Sequence, residues 1–210
     1  MKNFVTGIFV VFTMMMASSV QAIPTLFFDG SINYTVDSGE LQVSAALTET
    51  TDINPAPELS GSSMNFSVFF DTVETYSASC FFCATSTRGS FHGATDALIN
   101  DLEIFDGNGN TLLTAKFLGL SLEGINGGTT GEVIGLLNAT GGSLEYLFGS
   151  SDLFALQLGL DTVFSNTMYD SNFTGMVDGN IKGNSVPEPS PLALLCLGLL
   201  MVILVRKLTV

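Results

Sequence analysis

Apolar and polar residues alternate with a period of two through most of the middle of the chain, the pattern of half-buried strands. Ile32, Tyr34 and Val36 share one side of Ser31–Val36, and Leu41, Val43, Ala45 and Leu47 share one side of Glu40–Leu47. Asp37-Ser38-Gly39 between them predicts a β-hairpin whose core face is set by the alternation. Thr25–Phe28 predicts a first strand, closed by Asp29-Gly30 as a turn. Thr48–Ser63 holds Asn54-Pro55-Ala56-Pro57 and Gly61-Ser62-Ser63, which predicts a surface loop, and Met64–Phe70 returns to strand. Leu102–Phe105, Leu112–Leu118, Leu118–Ile125, Val133–Asn138, Ser143–Phe148, Leu153–Leu160 and Phe173–Ile181 are strand-like, and Gly127-Gly128, Gly141-Gly142, Gly149-Ser150-Ser151 and Asp178-Gly179-Asn180 are read as the turns that separate most of them. Phe91–Asn100 fits a strand start or a helical turn, and Gly135–Leu137 and Ala155–Leu158 fit short helices as well as strands. Several short strands with regular turn signals predict an all-β fold, a single β-sandwich or jelly-roll-like domain.

Both ends break this pattern. Met1-Lys2-Asn3 opens the chain with a positive charge, Phe4–Ala17 is almost wholly apolar, and Val20 and Ala22 occupy the small-residue positions of a cleavage site. This is a secretory signal peptide, expected to engage the Sec translocon and to be cut by signal peptidase after Ala22. At the other end Leu192–Val205 runs 14 residues without a charge. As a helix it spans about 21 Å, short of the roughly 30 Å hydrocarbon core, and the bilayer thins or flanking groups snorkel at modest cost. It has no polar face, so a position inside a globular domain would need burial on every side. Pro187 and Pro189 stop it from extending backwards, and Pro191 suits its first turn. Arg206 and Lys207 favour the cytoplasmic side, which puts everything before them outside. The expected layout is residues 1–22 signal peptide, 23–185 exported domain, and 186–210 sorting signal and membrane helix.

Val186-Pro187-Glu188-Pro189, an apolar helix and a basic end, in that order, resemble the PEP-CTERM sorting signal of Gram-negative bacteria. The resemblance covers about 25 of the 210 residues. Pro187, Glu188 and Pro189 match its core motif, and Arg206 and Lys207 its membrane stop. This copy has two basic residues rather than a longer Arg-rich run, and Leu208-Thr209-Val210 follow them. The resemblance implies a substrate of an exosortase, a membrane-embedded enzyme that cuts near the motif. It implies an inner-membrane-anchored intermediate, then a place at the cell surface or in an extracellular matrix, beside extracellular polysaccharide.

Between the two ends only Arg88, Lys116 and Lys182 are cationic, against 19 acids, a net charge of −16. Such a surface repels nucleic acid and anionic lipid, and suits solubility, divalent cations or neutral glycans. A solvated acidic surface is the plainer reading.

The chemical inventory is thin. Cys80-Phe81-Phe82-Cys83 in an exported chain reads as a disulfide, with a redox pair, half a zinc site and free thiols as alternatives. Three residues of extended strand exceed the Cα separation a disulfide allows, so a bridge requires a turn at Phe81-Phe82. Asp106, Asn108 and Asn110 match the first three ligand positions of a calcium loop, but Thr111 and Phe117 stand where Gly and Glu are needed. An Asp-Gly-Asn-Gly turn accounts for the same residues without an ion, so no cofactor is assigned and calcium is kept as the second reading. Ser90, His92 and Asp96 are close in sequence without forming a recognisable triad motif, and His92 is the only histidine. No catalytic residue is assigned, and a non-enzymatic protein is expected. Two classes remain: a structural surface or matrix protein, and a glycan- or surface-binding module. For the second, Tyr34, Tyr76, Tyr146, Tyr169 and the Phe81-Phe82 turn are the candidate sugar-stacking aromatics.

Overall fold

The computed structural model describes residues 23–76, 85–96, 98–148 and 153–183. The expected signal peptide with Ala22, the Cys80/Cys83 pair, and the tail with Pro187, Glu188, Pro189, Arg206 and Lys207 lie outside the described residues. Residues Ile23–Asn184 form one compact unit. Its strands are β1 (Thr25–Thr35), β2 (Glu40–Thr51), β3 (Ser63–Tyr76), β4 (Ser86–His92), β5 (Leu102–Phe105), β6 (Thr111–Ile125), β7 (Thr130–Gly141), β8 (Leu153–Thr162) and β9 (Phe173–Lys182), with one helical turn, α1 (Glu145–Phe148).

The strands close on themselves. Hydrogen bonding runs β2-β1-β9-β8-β7-β6-β4-β3, and β3 pairs back to β2. Short β5 pairs with β3 and β6 below β4, so β4 and β5 together make one split stave. The result is an eight-stave antiparallel, up-and-down barrel rather than the expected sandwich. The all-β reading stands. Alternation alone marks which residues face the core; it does not say whether the sheet folds onto a second sheet or onto itself. Closure is set by β9, whose Thr174–Lys182 pairs with Thr25–Asn33 of β1.

The buried set fills the interior: Leu26, Phe28, Ile32 and Tyr34 from β1, Leu41, Val43 and Leu47 from β2, Met64, Phe66 and Val68 from β3, and Leu156, Leu158 and Leu160 from β8. Ser31, Asn33, Gln42, Ser44 and Asn65 alternate with these on the outside. Over β1–β3, apolar inside and polar outside is the reverse of a transmembrane barrel, whose lipid-facing positions are apolar.

Both ends are stoppered. At the lower rim, where β1 begins and β9 ends, Ile53 of the β2–β3 connection and Leu144, Leu147 and Phe148 around α1 are buried. At the upper rim the β8–β9 connection turns Phe164, Met168 and Tyr169 inward. Tyr169 packs on Tyr34, Phe70 and Phe91 with ring centroids 5.1–5.9 Å apart. Its hydroxyl bridges β4 to β6, accepting from Gly89 N–H (3.0 Å) and donating to Leu122 C=O (2.5 Å). A Cβ at Gly89 would lie 2.5 Å from the Tyr169 ring, so the wall is bare there to admit the stopper.

The split stave has a seam, and Asp101 seals it. Its backbone bonds Ala115 C=O and Ser67 N–H on either side, while its carboxylate accepts from Ala94 N–H (2.7 Å) and Phe117 N–H (2.9 Å). Gly93 is required beside it, since a Cβ there would fall on the carboxylate.

Several local expectations change. Asp29-Gly30 is no turn: β1 runs straight through, and Gly30 gives room to the β2 backbone at Ser44 and Ala45. Ser143–Phe148 is not a strand but the turn leading into α1, while Gly135–Leu137 and Ala155–Leu158 are strand rather than helix. Asp178-Gly179-Asn180 lies within β9. Val36, assigned to the core face, is 37 % exposed just beyond the end of β1. Phe91–Asn100 divides, with Phe91-His92 ending β4 and the rest forming the β4–β5 excursion.

Candidate functional site

The residues singled out in the sequence do not converge. Ser90 and His92 stand two positions apart on the outer face of β4, and His92 lies against the Phe69 ring, centroids 6.3 Å apart. Asp96 instead caps its own loop, its carboxylate accepting from Leu98 N–H (2.9 Å) and its carbonyl from Lys116 Nζ (2.7 Å). No hydrogen bond joins the three among the described residues.

The Asp106 turn joins β5 to β6. The carboxylate accepts from Asn108 N–H (2.9 Å), Asn110 N–H (2.8 Å) and Asn110 Nδ2 (2.8 Å). The Asn110 side-chain bond, foremost, holds this carboxyl below the usual range. These are turn bonds, two to Oδ1 and one to Oδ2. Among the described residues no three His, Cys, Asp or Glu side chains are grouped as a metal site. Gly107 serves packing as well as the turn: a Cβ there would meet the Ser60 carbonyl of the β2–β3 connection.

The candidate sugar-stacking aromatics also separate. Tyr34 and Tyr169 are core residues, 2 % and 7 % exposed, because the closed barrel turns their positions inward. Tyr146 is exposed on α1 at the lower rim. The Tyr76 side chain and Phe81-Phe82 lie outside the described residues.

The feature that sequence reading missed is the outer wall over β4, β6, β7 and β8. There several outward positions are apolar: Leu118 (60 % exposed), Ile134 (49 %), Leu136 (42 %) and Leu153 (45 %), with Gly119 and Ala155 between them. Register places Gly119 opposite Leu136, Leu136 opposite Ala155, and Ser121 opposite Ile134. Leu118 is the extra residue of a β-bulge between Phe117 and Gly119, and Asp71 is that of another between Phe70 and Thr72. Bulges re-aim side chains, and both of these residues line one open groove of about 490 Å³. Arg88, Ser90, His92 and Ser121 form its polar side, and Arg88 Nη2 donates to Ser121 Oγ (3.0 Å). The signal was present in Val133-Ile134-Gly135-Leu136-Leu137, an apolar run without alternation. Within a one-sided strand such a run must expose every second member.

The groove offers an apolar floor with hydroxyl, guanidinium and carboxylate groups along one side. No family model, curated protein or solved structure matches this chain.

Proposed function

We propose that the chain is an exported, displayed protein with a structural role at the cell surface or in an extracellular matrix, delivered by a signal peptide and a C-terminal sorting signal. One observation carries the reading: the ordered tail of Pro-Glu-Pro motif, apolar helix and basic end, opposite a signal peptide, with a self-contained fold between them. The compact unit Ile23–Asn184 falls between the two signals. Lys182, the last strand residue, precedes Pro187 by five positions, so a cut near the motif leaves every strand intact. A closed barrel also suits dense display. Among the described residues its staves pair on both sides for most of their length, and open edges are the usual route to aggregation.

In this reading an exosortase acts on the tail, Cys80 and Cys83 form a disulfide outside the cell, and the helix Leu192–Val205 holds the intermediate in the inner membrane of a Gram-negative bacterium. The test is the intact mass of the protein recovered from the surface or medium of its native cells. Loss of residues 1–22 and of the region after about Pro187 is the expected result. A mass that still contains Leu192–Val210 would mean a plain membrane anchor and would remove the sorting enzyme from the account.

A further inference from the structure

The outer surface of the barrel is two-sided. Four staves away from the Leu118–Leu136 wall, the outward positions of β1 and β2 are Ser31, Asn33, Gln42 and Ser44. Contiguous apolar surface on a monomer marks an interaction site. We propose that this wall is the interface of a two-fold homodimer, formed side by side between copies of the chain.

Three observations select a second copy as the occupant. The first is charge. Two copies at −16 repel each other over most approaches, but two of the three cations among the described residues, Arg88 and Lys116, stand with the sole histidine on the β4 and β6 staves of this wall, while Lys182 lies on β9. Asp71, Asp96 and Glu132 border them, and a two-fold axis turns such a mixture into complementary pairs. The second is shape. The β4–β5 excursion is pinned beside the groove by Lys116 Nζ to Asp96 C=O and by Thr140 Oγ1 to Asn100 Oδ1 (3.0 Å), and it presents Leu98, 91 % exposed, and Ile99, 54 %. A projection and a groove on one face are what an isologous contact needs. The third is where the chain leaves the fold. Ile23 and Gly183 both lie at the lower rim, so a two-fold axis parallel to the barrel axis sends both tails the same way. That shared orientation rests on the delivery reading above; the wall contact itself does not.

Sedimentation equilibrium of the full chain in detergent micelles, up to about 0.1 mM, tests this. Wild type is expected to shift from monomer to dimer with concentration. Leu118→Asp and Leu136→Asp are expected to weaken dimerisation by at least about tenfold, and Ser31→Asp on the opposite wall to leave it unchanged. All three positions face outward, and an unchanged thermal midpoint confirms the fold of each variant. A wild-type monomer throughout, a dimer that survives both wall substitutions, or a ladder of larger species overturns the proposal. A monomer that is retained on immobilised neutral glucan, and loses retention in Leu136→Asp, assigns the wall to a glycan and overturns it too. Intact mass on the same native material reports the tail separately, so failure of the sorting reading is not confused with failure of the wall contact.

Discussion

The hydroxyl of Tyr169 accepts a hydrogen bond from the backbone N–H of Gly89 at 3.0 Å, eighty residues away in the chain. The same oxygen donates to Leu122 C=O, the register partner of Gly89, so one side chain from the β8–β9 connection is built into the β4–β6 ladder. Tyr169→Phe keeps the ring and removes both bonds. A loss of about 1–3 kcal/mol is expected from the buried amide and carbonyl left behind. Gly89→Ala, which drives a methyl into the ring, is expected to cost at least as much. Urea midpoints of the two variants measure both.

Burial, above all, pushes the Tyr169 hydroxyl above its ordinary value of 10.0, with Tyr34 and Glu123 adding to it and the Gly89 N–H opposing. The folded state therefore holds this proton more tightly than the unfolded chain. The contribution is fully present below about pH 10 and is lost as pH rises beyond it. Alkaline denaturation should steepen above that point in the wild type and less so in Tyr169→Phe.

Glu40 shows the opposite sign. Ser67 Oγ (2.6 Å) and Gln42 Nε2 (2.9 Å) donate to its carboxylate, Ser67 contributing most, and lower it from 4.5. Its stabilisation is complete above the ordinary value and is lost as pH falls through the depressed one. Glu40→Gln is expected to flatten the acid side of the stability profile, lowering the midpoint slightly at neutral pH and leaving it unchanged at the acid end. Denaturant midpoints at successive pH values would reveal a slope that stays the same if the bonds contribute nothing.

Asp29 of β1 and Asp178 of β9 are register partners on the outer face of the pair that closes the barrel. Like charges directly opposite destabilise a ladder. Asp178→Lys should raise stability by about 0.2–1 kcal/mol at low ionic strength, with the gain shrinking as salt is added. Thermal midpoints at two salt concentrations decide it.

Asp101→Asn tests the seam of the split stave. Both carboxylate oxygens accept backbone amides there, and an amide side chain offers one acceptor where two are needed. A loss of about 1–3 kcal/mol is expected, read as a lowered urea midpoint.

The alternation of Leu41, Val43, Ala45 and Leu47 made the hairpin and its core face legible, and Gly39, at φ 65°, is the turn residue that its position implied. Barrel closure was not legible, because it depends on β1 meeting β9 across some 150 residues, and a local pattern carries no record of a distant partner. Gly30 and Gly179 misled for a related reason. Each reads as a turn, yet each sits in mid-strand where a neighbouring backbone comes too close for a Cβ. Tyr34 shares a face with Ile32, so the alternation already turned it inward, and the Tyr169 ring packs on it there. The outer wall went unnoticed because an apolar run reads as core until the number of faces available for burial is known.

The closing strand has a mechanical consequence. β9 lies between β1 and β8, bonded to both along most of its length, and its end at Lys182 points out of the lower rim. A load carried by the chain beyond Gly183 therefore draws β9 lengthwise. The bonds of both ladders lie across that pull and bear it together, in shear, instead of parting one after another. Drag on the fold, or tension along the tail, meets the barrel in its most resistant direction.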